Sequence, residues 1–111
     1  LYTAAYNEPA DKPFVDQTYD ATFLALLAVE QAGSADRAKM AEALRAVASA
    51  PGEKVGPGEW AKAKALIAEG KDIDYDGAGG SYDFDENGDV AGYIGKFVVD
   101  GTVYKQVAIV E

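Results

Sequence analysis

Asp72 to Asp89 reads D-I-D-Y-D-G-A-G-G-S-Y-D-F-D-E-N-G-D, and the fold turns on how this stretch is read. It holds seven acidic residues (Asp72, Asp74, Asp76, Asp83, Asp85, Glu86, Asp89), four glycines and no basic residue. Everything before it reads as helix and everything after it as strand. By composition the stretch is a loop. It is a calcium site, a solvated acidic turn, or a backbone signature of one family.

Working backward from it, Gly70 closes a helix that Pro57 opens, with Trp60, Ala63, Lys64 and Ile67 in one row and Leu66 beside it. Proline suits a first helical turn because its missing N–H would have no partner there. Residues 51–56 read as loop from their Pro and Gly content. Ala35 to Ala48 forms a helix striped by Met40, Leu44 and Val47, with Ser34 as its cap and Asp36 and Arg45 suiting its dipole. Gly33 and Ser34 make a two-residue joint to the long helix Phe14 to Ala32, opened by Pro13. Phe14, Thr18, Ala21, Ala25 and Val29 fall in one row of that helix. Phe23, Leu24, Leu26 and Leu27 widen the apolar face, so the sequence predicts burial around much of its circumference. Leu1 to Asn7 reads as the end of a helix stopped by Pro9. That helix begins without a cap, so the chain reads as a piece of something longer.

Forward of the acidic stretch, Tyr93 to Val99 and Thr102 to Val110 are β-branched and aromatic. Asp100-Gly101 between them predicts a hairpin turn. Strict alternation puts Tyr104, Gln106, Ala108 and Val110 on one face and Val103, Lys105, Val107 and Ile109 on the other. Both faces carry apolar residues, so each is expected to meet a partner: the remainder of the chain or a second copy.

Composition narrows the function. The 111 residues carry 10 Lys and Arg against 19 Asp and Glu, a net charge of −9, which argues against nucleic acid. With no cysteine and no histidine, thiol chemistry, zinc-thiolate sites and the commonest general base are all missing. The expectation is a protein that is not an enzyme and needs no cofactor.

Asp83-x-Asp85-x-Asn87-Gly88-Asp89 matches the start of an EF-hand loop, making Asp83, Asp85, Asn87 and Asp89 candidate calcium ligands. The twelfth position, which needs a bidentate Glu, is Ile94, and strand rather than helix follows. The plain alternative is a turn whose Asp and Asn side chains bond their own backbone, with Gly88 left-handed. Gly77-Ala78-Gly79-Gly80 lacks the Lys-Ser/Thr of a phosphate loop, and the carboxylates around it would repel a phosphate. Asp83 and Asp85 as a glycosidase pair lack the apolar surroundings that keep one acid protonated.

Three stretches together resemble one family. They are Thr18-Tyr19-Asp20-Ala21 with Leu24 to Ser34, then Gly70 to Gly80 (G-K-D-I-D-Y-D-G-A-G-G), then Tyr82 to Val90 (Y-D-F-D-E-N-G-D-V). In this order they are similar to the C-terminal third of the type I periplasmic solute-binding proteins, the Leu/Ile/Val-binding branch that serves ABC importers. The resemblance covers essentially the whole chain. It implies an α/β fold, part of two lobes that close on a small molecule between them. Residues 1–111 would form one partial domain, with 1–92 in one lobe and the hairpin 93–111 near the hinge. It implies capture of a branched-chain or other small amino acid, or a related metabolite, for a membrane permease in the periplasm or outside the cell. It also implies Phe14 and Tyr19, at the head of the long helix, as ligand contacts. A sensory ectodomain of the same fold remains open, as does an acidic calcium-binding or interaction module.

Overall fold

The computed structural model describes residues 1–110; Glu111, which the sequence reading placed in the hairpin, lies outside the described residues. Helix α1 spans Tyr2–Tyr6 and ends at Asn7 in the left-handed region (φ 54°). Helix α2 spans Val15–Ala32 and α3 spans Arg37–Ala48. Strand β1 (Glu53–Val55), helix α4 (Trp60–Ala68) and strand β2 (Ile73–Gly77) follow. Strand β3 is Gly80–Ser81, and β4 (Ile94–Asp100) and β5 (Val103–Val110) close the chain. The architecture is mixed α/β with no closed barrel.

Within the two stretches expected to be loop, Glu53–Val55 and Ile73–Gly77 are strand, while Pro51, Gly52, Gly56 and Asp72 stay outside regular structure. β1 and β2 pair in parallel, Glu53 with Ile73 and Val55 with Tyr75, and α4 makes the crossover between them. This is a βαβ unit. β2 turns back on β3 in antiparallel fashion, Gly77 opposite Gly80. Ile73, Asp74 and Tyr75 are all buried. A strand covered by helices can hold apolar side chains at alternate positions while aspartates fill the rest, and composition alone then hides it.

The core joins five elements. Phe23, Leu24 and Leu27 come from α2, Val47 and Ala48 from α3, Val55 from β1, Ala63 and Leu66 from α4, and Ile73 and Tyr75 from β2. On α2 the buried positions are Asp20, Phe23, Leu24, Leu27 and Ala28, spaced at zero, three, four, seven and eight residues. This narrows the expected burial around much of the circumference to one stripe. The row Phe14, Thr18, Ala21 and Ala25 is exposed, and Leu26 stays 52% exposed. Thr18, Ala21 and Ala25 are small or hydroxylated and tolerate water, whereas Phe23, Leu24 and Leu27 join the core with the sheet residues Val55, Ile73 and Tyr75.

Helix ends differ from the sequence reading for local reasons. Asp36, not Ser34, caps α3: its Oδ1 accepts from the N–H of Ala38 (3.1 Å) and Lys39 (3.2 Å). Ser34 instead accepts from the Asp36 N–H at 3.0 Å. The joint from α2 to α3 is therefore four residues long. Pro13 precedes α2, and Phe14 is its N-cap. Glu59 stands before α4 and accepts from the Gly56 N–H at 2.7 Å.

The hairpin forms, with Asp100 paired to Val103, so its turn residues are Gly101 and Thr102 rather than Asp100 and Gly101. The positive φ of 64° falls on Gly101, the first of the two. A register shift opposite Lys96 and Phe97 leaves Val107 unpaired. This bulge carries Ala108 and Val110 to the face of Val103 and Lys105, and Ile109 to the face of Tyr104 and Gln106, breaking the strict alternation. Every hairpin residue is exposed except the half-buried Ala108.

Candidate functional site

The head of α2 carries the aromatic surface. A groove of about 570 Å³ is lined by Tyr2 and Tyr6 of α1, by Pro13, Phe14, Thr18, Tyr19, Thr22, Phe23 and Leu26, and by Val15. Phe14 is 75% exposed and sits in the left-handed region at φ 67°. A bulky residue there is a steric outlier. Such strain persists only where surrounding structure imposes it, and it concentrates at functional sites. Tyr19 is 37% exposed, and its hydroxyl accepts from the Gly58 N–H at 2.9 Å. Phe14 and Tyr19, the two residues expected to touch a ligand, thus line one groove.

From that groove an aromatic ladder runs inward. Tyr19 stacks on Phe23 (5.8 Å between ring centres), Phe23 on Tyr75 (4.9 Å) and Tyr75 on Tyr82 (6.4 Å), with Trp60 edge-on to Phe23 (5.7 Å). Offset aromatic pairs of this kind add about 0.5–1.5 kcal/mol each beyond their buried area.

The ladder ends at Asp20, a residue to which the sequence pattern alone gives no role. Its side chain has no exposed surface. Oδ1 accepts from the Tyr75 hydroxyl at 2.8 Å and the Ala78 N–H at 2.9 Å. Oδ2 accepts from the Gly79 N–H at 2.7 Å and the Tyr82 hydroxyl at 2.8 Å. Four donors fill the carboxylate, and no buried side-chain polar atom among the described residues lacks a partner. Burial first, then the hydrogen bond to Asp20 and its charge, push the Tyr75 and Tyr82 phenols well above the usual phenol range. Both therefore remain donors throughout the physiological range. A Cβ on Gly77 would stand 2.6 Å from the Asp20 carboxylate, and one on Gly79 would stand 2.9 Å from the Tyr82 hydroxyl. The glycine run thus cradles an anion after all, and that anion is the chain's own. The signal available in the sequence was a lone acid in register with an apolar stripe, Asp20 with Phe23, Leu24 and Leu27.

The four calcium candidates lie together in residues 83–89, where two of the carboxylates bond to the chain. Asp83 accepts from the Ala50 N–H (3.0 Å) and the Ser81 hydroxyl (2.6 Å). Asp85 Oδ1 accepts from the N–H groups of Asn87 (2.8 Å) and Asp89 (2.9 Å). Gly88, at φ 92°, donates its N–H to the Asp85 carbonyl at 3.1 Å, and Arg45 Nη1 donates to that same carbonyl at 2.5 Å. The Ser81 hydroxyl, then the Ala50 N–H, hold the Asp83 carboxyl below its usual range; the Asp89 and Asn87 N–H groups do the same for Asp85. Among the described residues no three acidic side chains are grouped to hold a metal ion. The geometry is that of a self-bonded Asp turn.

No protein-family model matches the chain, and no solved structure matches it. Over 72 residues, 65% of this chain, it is 35% identical to a chemotactic signal transduction system substrate-binding protein, BasB, of Halobacterium salinarum. The matched stretch is 17% of that protein's length. The chain therefore spans a small part of the curated relative it matches. No helix among the described residues is long and apolar enough to cross a membrane.

Proposed function

We propose that this chain forms one wall of a small-molecule-binding protein of the type I solute-binding fold, and that it is not an enzyme. Phe14 and Tyr19 contact the ligand, a branched-chain or other small amino acid or a related metabolite. The observation that carries this reading is Phe14: a large apolar side chain, exposed and held in a strained backbone conformation, beside a second aromatic. Residues 1–92 belong to one lobe and the hairpin lies near the hinge, with the facing lobe contributed from outside this stretch. Ligand binding then shifts the lobes toward closure by its higher affinity for the closed form. The protein works in the periplasm or outside the cell and delivers its ligand to the permease of an ABC importer.

A second reading keeps the ligand and changes the recipient. The relative belongs by name to a chemotactic signal transduction system, which favours delivery to a signalling receptor. A calcium module has less support, since Asp83 and Asp85 already bond to backbone N–H groups.

Thermal melting of the full-length polypeptide against amino acids and small organic acids, with calcium and EDTA as controls, tests the proposal. One ligand class is expected to raise the midpoint by several degrees, with calcium inert. A rise with calcium alone would overturn it and make the Asp83 to Asp89 turn the site.

A further inference from the structure

The four donors around Asp20 come from a single segment. Tyr75, Ala78, Gly79 and Tyr82 all lie within β2, the turn and the residue after β3, whereas their acceptor is more than fifty positions earlier, on α2. The β2–β3 pairing, Asp76 with Ser81 and Gly77 with Gly80, holds the turn that carries the two N–H donors, and the stacking of Tyr75 on Phe23 and on Tyr82 holds the two hydroxyls. They approach in pairs, one hydroxyl and one N–H on each oxygen, which suits a planar, two-oxygen anion. The bare Cα of Gly77 allows the carboxylate to come this close. A carboxylate reproduces this two-by-two pairing with both its oxygens, which a single chloride ion cannot do.

We infer that the segment from Tyr75 to Tyr82 is a carboxylate-binding site in its own right, filled in the intact chain by Asp20. With that side chain removed, a free small carboxylate takes its place and ties α2 to the turn again. Unpaired donors left in a partly buried cradle drive the exchange, because each loses its bond and regains only part of it from water. The inference is independent of the solute-binding reading, since its readout is folding rather than ligand capture.

The test compares Asp20→Gly, Asp20→Asn and the unaltered protein in sodium formate, with sodium chloride and sodium sulfate at matched ionic strength. Formate is expected to raise the melting midpoint of Asp20→Gly saturably, by roughly 4–8 °C at about five times its half-saturating concentration. The unaltered protein and Asp20→Asn, whose cradles are filled, are expected to respond no more to formate than to chloride. Adding Tyr82→Phe to Asp20→Gly removes one donor and is expected to raise the half-saturating formate concentration roughly 3- to 10-fold. Should Asp20→Gly be unfolded in buffer, recovery of its far-ultraviolet circular dichroism in formate but not chloride gives the same answer. Equal responses to formate and chloride would overturn the inference. So would a formate response shared by all three proteins, or an Asp20→Gly chain that stays unfolded up to molar formate.

Discussion

Asp20 occupies a position where an apolar residue would ordinarily sit, one helical turn before Phe23 and Leu24 on the buried stripe of α2. An unpaired carboxylate there would cost several kcal/mol, so its four hydrogen bonds are what make the position tenable. Asparagine keeps the shape but turns an amide N–H₂ toward a donor. Asp20→Asn is therefore expected to destabilise by about 2–4 kcal/mol. Gly77→Ala should do comparable damage from the opposite side, because its methyl would stand 2.6 Å from the carboxylate. Chemical denaturation checks both: the two variants should lower the midpoint substantially, and the double variant should cost clearly less than their sum, since both break one network. Additive losses would mean that Gly77 matters for some reason other than room for Asp20. The network was hidden in the sequence because its donors are two phenols and two backbone groups. No spacing pattern announces a backbone N–H as a partner, although a charge inside an apolar stripe announces that some partner exists.

At the scale of elements, the body and the hairpin differ in how they are held. Every buried apolar side chain lies between Phe23 and Tyr75, and β4 and β5 contribute none. An isolated two-stranded hairpin is marginal in water, because it has no third strand or helix on which to bury a face. Truncation after Gly92 is accordingly expected to leave the unfolding free energy of the remaining chain within about 0.5 kcal/mol of the longer one. A larger loss on calorimetric melting would show that the hairpin packs on the body in solution. The helices and the hairpin were legible from periodicity, since helical stripes and β-branched runs need no long-range knowledge. Strands β1 and β2 were not. Glu53-Lys54-Val55 is too short to show a period, and Ile73 and Tyr75 alternate with aspartates that look like loop until α4 is seen to bridge two parallel strands. The buried side of α2 was misread for a related reason. Its apolar residues cover more than one face, and only the position of the sheet decides which face is inside.

The whole molecule is extended for its length, with a radius of gyration of 16.4 Å against roughly 13 Å for a compact domain of this size. The aromatic groove at the head of α2 and the apolar hairpin both face solvent, and each suits a contact made beyond the body's own core. Binding and folding are consequently separable by substitution. Phe14 is 75% exposed and contributes nothing to the core cluster, so under the proposed function Phe14→Ala removes ligand-contact surface without opening the core. In the full-length polypeptide it is expected to weaken ligand binding by roughly 10- to 100-fold, the 1–3 kcal/mol of one lost apolar contact, while moving the unliganded midpoint by less than about 1 °C. Asp20→Asn should behave oppositely, lowering the unliganded midpoint first and affinity only through the placement of Tyr19 along the Tyr19–Phe23–Tyr75 ladder. Isothermal titration and melting on the same two variants read both quantities. If Phe14→Ala leaves affinity intact while Asp20→Asn abolishes it at temperatures where the variant is folded, the ligand sits against the β2–β3 turn rather than in the groove, and the candidate site moves there.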